Sequence, residues 1–596
     1  MLHPAFSNPT DIEDLVAKWQ PNIKPKEKEI YIATIRNVMD CLSNDLHSNQ
    51  ILLQDMLRNN SKGYGGRTTK SNLQYVYSEA VKTGKLPFNK NLQHALTKKV
   101  GKSDSGIVSI TVMTSPGDFS CPQDCHYCPN DPESARSYDR EGPVALRASA
   151  LGWDVVKQFR DRAMNLARMG HEVTKIELLV IGGTWSYHTK PYQRDFITGI
   201  YYAANTFHEM NPRDVMSLEE EIHCNETAES RIIGLTIETR PDHITKNEIT
   251  LLRSYGVTRV QLGVQHLNDK ILKDINRKCP TIRTYQAFQL LLENGFKIDA
   301  HFMPDLPGSS YEEDLEMFEF LFSKDNQVIQ ADQMKVYPTM VTRFTKIAEW
   351  YQEGTYQPYS EFNDGQQLFD LIIYIVTHVP SWVRINRIVR DIPSTVINGK
   401  FKETNMYQRI QQYMQTNNLK GTDIRSREIK LDDINHEQCQ MYTDTYRSSK
   451  GTEYFISYES HNREKIIGFI RIRINDDPNA PFISELKKAV LIRELHVYGK
   501  VVKQQHKSDY QQHKGVGKLL LEQADLIAKQ HQHLGFTKIA IISGVGVREY
   551  YKRQGYQLEG TYMTRLISSS SMLSCFLTPG IILRTLLYSY ILLRSQ

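Results

Sequence analysis

Short apolar runs punctuate this chain from Ser105 onward, each separated from the next by a span with helical spacing. GIVSITVM, KIELLVIGG, RIIGLTIET, VTRVQLGVQ, KIDAHFMP and ADQMKVYP read as strands, and the intervening spans read as amphipathic helices. Strands alternating with helices predict a parallel sheet, open or closed into a (β/α) barrel. Upstream, residues 1–100 read as polar and helical: DIEDLVAKW, then EIYIATIRNVMDCLSNDL, with a glycine-rich break from Lys62 to Gly66. After about Arg427 the pattern changes. EYFISYE, KIIGFIRIRI and AVLIRELHVYG follow one another as strands with turns, which predicts an antiparallel meander. A helix over 514–530, the strand FTKIAIISG, a short helix and a final strand YQLEGTYM complete this part. The expected class is α/β: a helical N-terminal region (1–100), a barrel (101–390), a linker (391–426), a second α/β domain (427–565) and an apolar tail (566–596).

Length supports several cores: 596 residues exceed what one domain holds. Hydrophobic residues at 40% and charged residues at 24% describe an ordinary folded chain. Eight cysteines, three of them in one motif, make a disulfide framework unlikely and imply a reducing compartment, so the cytoplasm is expected. The N-terminus has no basic-then-apolar leader. A net charge of +5 names no partner. Its distribution says more: Lys82, Lys85, Lys90, Lys98, Lys99 and Lys102 run without an intervening acid, with Arg58, Lys62, Arg67 and Lys70 upstream. Such a stretch suits phosphate binding, against the simpler reading of a solvated helix surface.

The strongest chemical signal is SCPQDCHYCP, where Cys121, Cys125 and Cys128 have C-x3-C-x2-C spacing. Three thiolates can hold three irons of a 4Fe–4S cluster and leave the fourth open. That open iron can take S-adenosylmethionine, whose reductive cleavage makes a 5′-deoxyadenosyl radical. Tyr127 before the third cysteine is the usual companion in radical-SAM enzymes. The competing reading, a zinc knuckle, needs a fourth ligand, and His126 stands awkwardly between two of the three. The cysteines follow the first barrel strand, at the C-terminal mouth where such folds place their chemistry. Gly182, Gly183 and Thr184 end the second strand, where glycines let backbone groups approach a ligand such as S-adenosylmethionine. Glu238 and Arg240 end the third run, and Lys335 and Tyr337 end a later one, so these also point to the mouth as cofactor-binding candidates.

A second constellation lies at Gln512, His513, Lys514, Gly515, Val516 and Gly517, opening a helix. This Q-x-x-G-x-G pattern after a strand is the form of an acetyltransferase pyrophosphate loop, in which successive backbone N–H groups and a helix N-terminus bind phosphate. Tyr550 and Tyr551 follow Gly546 at the turn where that fold places the thioester sulfur. A tyrosine there can protonate a departing thiolate, and its alternative role is packing under the final strand.

A radical-SAM barrel joined to a GNAT domain, with LGVQH, HFMPDLPG, QMKVYPT, RIVRDIP, DIRSRE and ISGVGVREYYKRQGY in order, closely resembles the catalytic subunit family of Elongator. The similarity covers roughly residues 100–565. It implies a cluster on Cys121, Cys125 and Cys128, and acetyl-coenzyme A along Glu494, Leu495, His496, Val497 and the Gln512–Gly517 loop. It further implies catalytic Tyr550 or Tyr551, and transfer RNA bound by the basic N-terminal region through Lys98, Lys99 and Lys102. The activity implied is carboxymethyl-type modification at carbon-5 of the wobble uridine. In that chemistry a radical formed on the acetyl methyl adds to the base and water then cleaves the thioester. The competing functions are a protein lysine acetyltransferase with the barrel as platform, and a non-catalytic RNA-binding scaffold.

Three positions depart from the family pattern. Arg277-Lys278-Cys279 stands where Arg-Gly-His is frequent, Gln261 where an acid is common, and Gly421 where a cysteine often occurs. These count against an additional zinc near the domain junction. The compact cysteine spacing leaves both a solitary enzyme and assembly with Elongator subunits open. The tail from Met572 to Leu593 is apolar and just long enough to cross a bilayer. Arg584 in its middle, with Pro579 and Gly580, opposes that. A membrane tail anchor, a docked helix and a sequence artefact are the three readings.

Overall fold

A computed structural model describes residues 23–43, 49, 51–53, 55, 70–97, 106–117, 121, 123–209, 212–390, 392–400, 406–429, 438–498 and 515–568. Lys98, Lys99, Lys102, Gln512, His513, Lys514 and the apolar tail beyond residue 568 lie outside these residues. Among the described residues no helix is long and apolar enough to cross a membrane.

Seven strands form the first sheet: β1 (Val108–Met113), β2 (Lys175–Ile181), β3 (Arg231–Thr239), β4 (Arg259–Gln265), β5 (Lys297–Phe302), β6 (Gln333–Val336) and β7 (Arg384–Ile388). They stand in sequence order and every pairing is parallel, so the expected partial barrel is present. Period-two alternation separates its faces. Ile176, Leu178 and Val180 of β2, and Ile298, Ala300 and Phe302 of β5, are buried with Phe159, Phe196 and Phe288 from the surrounding helices. The alternate residues are polar: Lys175 and Glu177 on β2, Arg259 and Gln261 on β4, Lys297, Asp299 and His301 on β5, Gln333 and Lys335 on β6. This barrel therefore has a polar concave face where branched apolar residues are usual.

In the N-terminal region, helices Pro25–Asp40, Lys70–Lys82 and Lys90–Leu96 share a small core of Ile35, Val38, Leu73, Val76, Tyr77 and Leu92. Gln93 Nε2 donates to the Gly170 carbonyl at 3.2 Å and ties it to the barrel. The segment read as a linker is built onto the barrel: helix Met406–Thr416 buries Met406 and Ile410 in the barrel's core.

The second sheet runs β13–β14–β12–β11–β10–β9–β8. Its strands are β8 (Cys439–Arg447), β9 (Gly451–Ser460), β10 (Ile466–Asn475), β11 (Ala489–Val497), β12 (Lys538–Ile541), β13 (Gln557–Glu559) and β14 (Tyr562–Leu566). The stretch read as one final strand is a hairpin, because Gly560 turns the chain with φ of +55° between Glu559 and Tyr562. β11 pairs with parallel β12 only from Ala489 to Ile492. Beyond Ile492 the two strands part, leaving Glu494 to Val497 unpaired on that side.

The two domains are welded by buried charge. Arg493 of β11 contacts the Asp332 carboxylate on the barrel side and donates to Glu453 Oε2 at 3.1 Å and to the Phe296 carbonyl at 2.8 Å. A second dock is steric. A Cβ on Gly544 would stand 2.0 Å from the Ile233 carbonyl oxygen, and one on Gly546 would stand 2.6 Å from the Arg231 Cβ. The turn 543–547 therefore lies against the backbone of β3, and Glu226 clamps the helix that follows it, accepting from Arg548 at 3.0 Å and Lys552 at 2.9 Å. Gly544→Ala is expected to destabilise the protein by about 1–3 kcal/mol, since the contact is backbone and cannot swing aside. Thermal unfolding measures it, and an unchanged midpoint would show that the dock carries no stability.

Candidate functional site

Two sites stand at opposite ends of the barrel strands. The first is at the C-terminal mouth, in the loop after β1. Cys125 is buried, and Cys121 and Cys128 are half-buried. The Cys128 thiol is raised to about 11: burial pushes it up most, Arg136 pulls it down, and Cys125 and Cys121 add to the rise. Cys125 Sγ receives two guanidiniums, Arg240 at 3.7 Å and Arg277 at 3.8 Å. Cys121 Sγ is 3.3 Å from Thr184 Oγ1, which brings the Gly182-Gly183-Thr184 turn to the cysteine loop as expected. Gly182 and Gly183 have φ of +126° and +89°, and a Cβ at Gly182 would fall 2.1 Å from Thr114 Oγ1, so this strand end requires glycine.

Arg240, a cofactor-binding candidate, spans Asp242, at 2.9 and 2.8 Å, and the Arg277 carbonyl, at 2.9 Å, beside Cys125. Glu238 accepts from Tyr138 Oη at 3.0 Å. His126 turns away from the thiols: its Nδ1 lies 3.2 Å from the Asp274 carbonyl and its ring packs edge-on to Trp350. Among the described residues no three His, Cys, Asp or Glu side chains converge as ligands of a single metal ion. A cubane presents a separate iron to each thiolate and needs no such convergence. Three thiols with guanidiniums beside two of them, and no fourth ligand, fit a 4Fe–4S cluster better than a zinc knuckle. Sequence reasoning missed Arg136 and Tyr138, whose only signal is proximity to the cysteines, and noted Arg277 only as a departure.

The second site is a cavity of about 1500 Å3 at the N-terminal ends of the strands, walled by both domains. From the second domain come Glu494, Leu495, His496, Val497, Gly515, Gly517, Tyr550 and Tyr551, so the strand, loop and turn candidates meet in one place. The parting of β11 and β12 leaves the Glu494–Val497 backbone facing this space. Gly515, with φ of +115°, starts helix Val516–Gln530, while the Val516 side chain enters the domain core. A Cβ on Gly517 would lie 3.1 Å from Tyr550 Oη, so that hydroxyl sits against the helix N-terminus. Tyr551 is more deeply buried, packed near Tyr556.

Glu494 accepts from Arg471 Nε at 2.8 Å; with Lys297 and Arg259 also near, its carboxyl is held down to about 2 despite burial. Burial lowers His496 below its usual range, and its Nε2 has no hydrogen-bond partner among the described residues. The barrel supplies the floor: Lys175, Glu177, Arg259 and Lys297, none of them singled out from the sequence. Burial lowers Lys297 to about 8. Lys335 is absent from this cavity; it lies toward the cluster mouth, on the face shared with His301.

Residues 119–321 match the Radical SAM superfamily and residues 331–416 match the Radical_SAM C-terminal domain. The superfamily implies S-adenosylmethionine and a 4Fe–4S cluster, in line with the donor set. The tRNA uridine(34) acetyltransferase of Methanocaldococcus infernus is 37% identical, covering 82% of this chain and 90% of the relative. Elongator complex protein 3 of Saccharomyces cerevisiae is 32% identical, covering 91% and 97% respectively, and that of Homo sapiens is 34% identical, covering 80% and 88%. The solved archaeal Methanocaldococcus infernus Elp3 with an N-terminal deletion superposes with a TM-score of 0.66 at 34% identity, over 78% of this chain and 99% of that one. With both sites present in one polypeptide and relatives of this identity and coverage, the chain belongs to the family of tRNA uridine(34) acetyltransferases and Elongator complex protein 3.

Proposed function

We propose that this protein modifies carbon-5 of the wobble uridine of transfer RNA with a carboxymethyl-type group drawn from acetyl-coenzyme A. The observation that carries this reading is the pairing of a three-cysteine mouth and an acyl cavity on one barrel. A protein lysine acetyltransferase has no use for the first, and relatives that cover most of this chain are named for uridine 34. When bound, the cluster and S-adenosylmethionine supply the one-electron chemistry that an electron-poor uracil alkene demands.

The chain's own residues do the rest. Cys121, Cys125 and Cys128 hold the cluster, and Arg240, Arg277 and Arg136 offset the charge of the thiolates. The Gly182–Thr184 turn and Glu238 line the S-adenosylmethionine side. In the cavity, the N-terminus of helix Val516–Gln530 and the open Glu494–Val497 edge hold acetyl-coenzyme A. Glu494, locked to Arg471, fixes the strand. His496, neutral and with an available Nε2, takes a proton from the water that attacks the thioester. Tyr550, against Gly517, returns one to the departing sulfur. Elongator subunits are the proposed protein partners, since the eukaryotic relatives carry that name.

Anaerobic assay of coenzyme A release with and without transfer RNA, with mass spectrometry of the product nucleoside, tests the whole reading. Release indifferent to RNA, with protein acetylation that survives loss of the cluster, would favour the lysine acetyltransferase instead. Replacing Lys98, Lys99 and Lys102 by Glu is expected to weaken transfer RNA binding and flatten its salt dependence, each lost phosphate contact lowering the slope by about 0.7–0.9. Filter binding across a salt series checks this; an unaltered slope would return the stretch to a solvated surface.

A further inference from the structure

Between the two mouths the concave face of the barrel is crossed by a polar layer. Asp299 Oδ2 accepts from Gln261 Nε2 at 3.2 Å and from Asn386 Nδ2 at 3.0 Å, and Asn386 also donates to Gln333 Oε1 at 2.6 Å. Asp299 has 0% exposure, and its Oδ1 has no hydrogen-bond partner among the described residues. A carboxylate buried with one oxygen unmet is costly, and packing does not ask for it. Ile298 and Ala300 on either side already serve the apolar core.

A charge must answer it, and Lys335 and Arg259 both stand near enough to act on it. Arg259 is paired with Glu177 and lies 3.9 Å from Glu494, on the acyl side. Lys335 Nζ stands 3.8 Å from Asp299 Oδ2, on the cluster side of this layer. Gln261 on β4 is the direct register partner of Asp299 on β5, so the two side chains share one level of the barrel.

We propose that Asp299 is a positioning residue for the reaction at the cluster mouth: its carboxylate holds the Lys335 ammonium on the concave face, supplying from β5 the charge that Gln261 does not supply from β4. This rests on the wobble-uridine reading for what Lys335 serves, a polar group of the substrate presented at that mouth. The ion pair itself stands on the geometry.

Four full-length variants test it: Asp299→Asn, Lys335→Met, the two combined, and Gln261→Glu with Asp299→Asn. Product nucleoside formation is expected to fall about tenfold or more in Asp299→Asn, with transfer RNA affinity unchanged. In the Lys335→Met background the same change should cost nothing further. Returning the acid to β4 through Gln261→Glu should restore the rate to within about threefold. Labelling of Lys335 by an amine-reactive reagent, read by mass spectrometry, gives a turnover-free measure. It should speed up in Asp299→Asn and return to the original rate in Gln261→Glu/Asp299→Asn. Losses that add in the double variant, an equal fall in unfolding midpoint in both backgrounds, or unchanged Lys335 labelling would overturn the proposal. A wild-type enzyme that releases coenzyme A yet forms no uridine product would instead refute the functional reading, and the labelling arm would still decide the role of Asp299.

Discussion

Cys125→Ser is expected to abolish the visible absorbance of a reconstituted 4Fe–4S cluster and all formation of modified uridine, while leaving the protein folded. Cys125 is the buried thiol of the three, and it is the one facing both Arg240 and Arg277. A serine hydroxyl does not ionise at neutral pH, so it neither binds iron as a thiolate does nor pairs with those guanidiniums. The acyl cavity lies at the other end of the strands, and its second-domain wall rests on a separate core around Phe455, Phe469, Leu520 and Ile539. The two losses should therefore separate: unfolding midpoint and acetyl-coenzyme A affinity stay near wild type, while iron content and product formation fall to background. Full modification by this variant would sink the radical mechanism. A collapse of acetyl-coenzyme A affinity would sink the claim that the sites are structurally independent.

The second large effect concerns the acyl cavity. Tyr550→Phe and His496→Gln are each expected to lower the rate of coenzyme A release by about 10²-fold or more, with the KM for acetyl-coenzyme A little changed, as for residues that act on protons in the transition state. Tyr551→Phe should do far less, since its ring is packed in the domain core. The pH profile distinguishes the two strong variants. Burial favours neutral imidazole, so His496 ionises below its ordinary value of 6.5. A base with a depressed pKa remains competent as pH falls through 6.5 and fails only below it. The acid limb of the release profile should thus lie below 6.5 in the wild type and disappear in His496→Gln. An acid limb above 6.5, or one that persists in His496→Gln, would remove His496 from the role of base.

The order of strands and helices and the two sheets were legible in the sequence because each rests on local rules. Period-two runs make strands, and C-x3-C-x2-C spacing puts three thiols in one loop. Where the final strand was misread, the cause was equally local: Glu559-Gly560-Thr561 has a turn's composition, and a run of alternating residues on both sides of it concealed the hairpin.

Neighbours distant in sequence were set by tertiary structure alone. Arg240 is a cofactor-binding candidate from its strand end, but its contacts with Cys125 and Asp242 come from packing. Lys335 reads from its strand end as facing the mouth, but that its ammonium meets Asp299 of β5 is decided by strand register. Lys175, Glu177 and Lys297 carry no motif, since first residues of parallel strands become cavity floor only when another domain docks there. That docking depends on Gly544 and Gly546 touching the β3 backbone and on Glu226 reaching Arg548 and Lys552, contacts spanning some three hundred residues of chain. Spacing along a chain specifies which groups share a loop or a face. Which charges meet across a barrel depends on register and docking, and those are settled by burial of the whole.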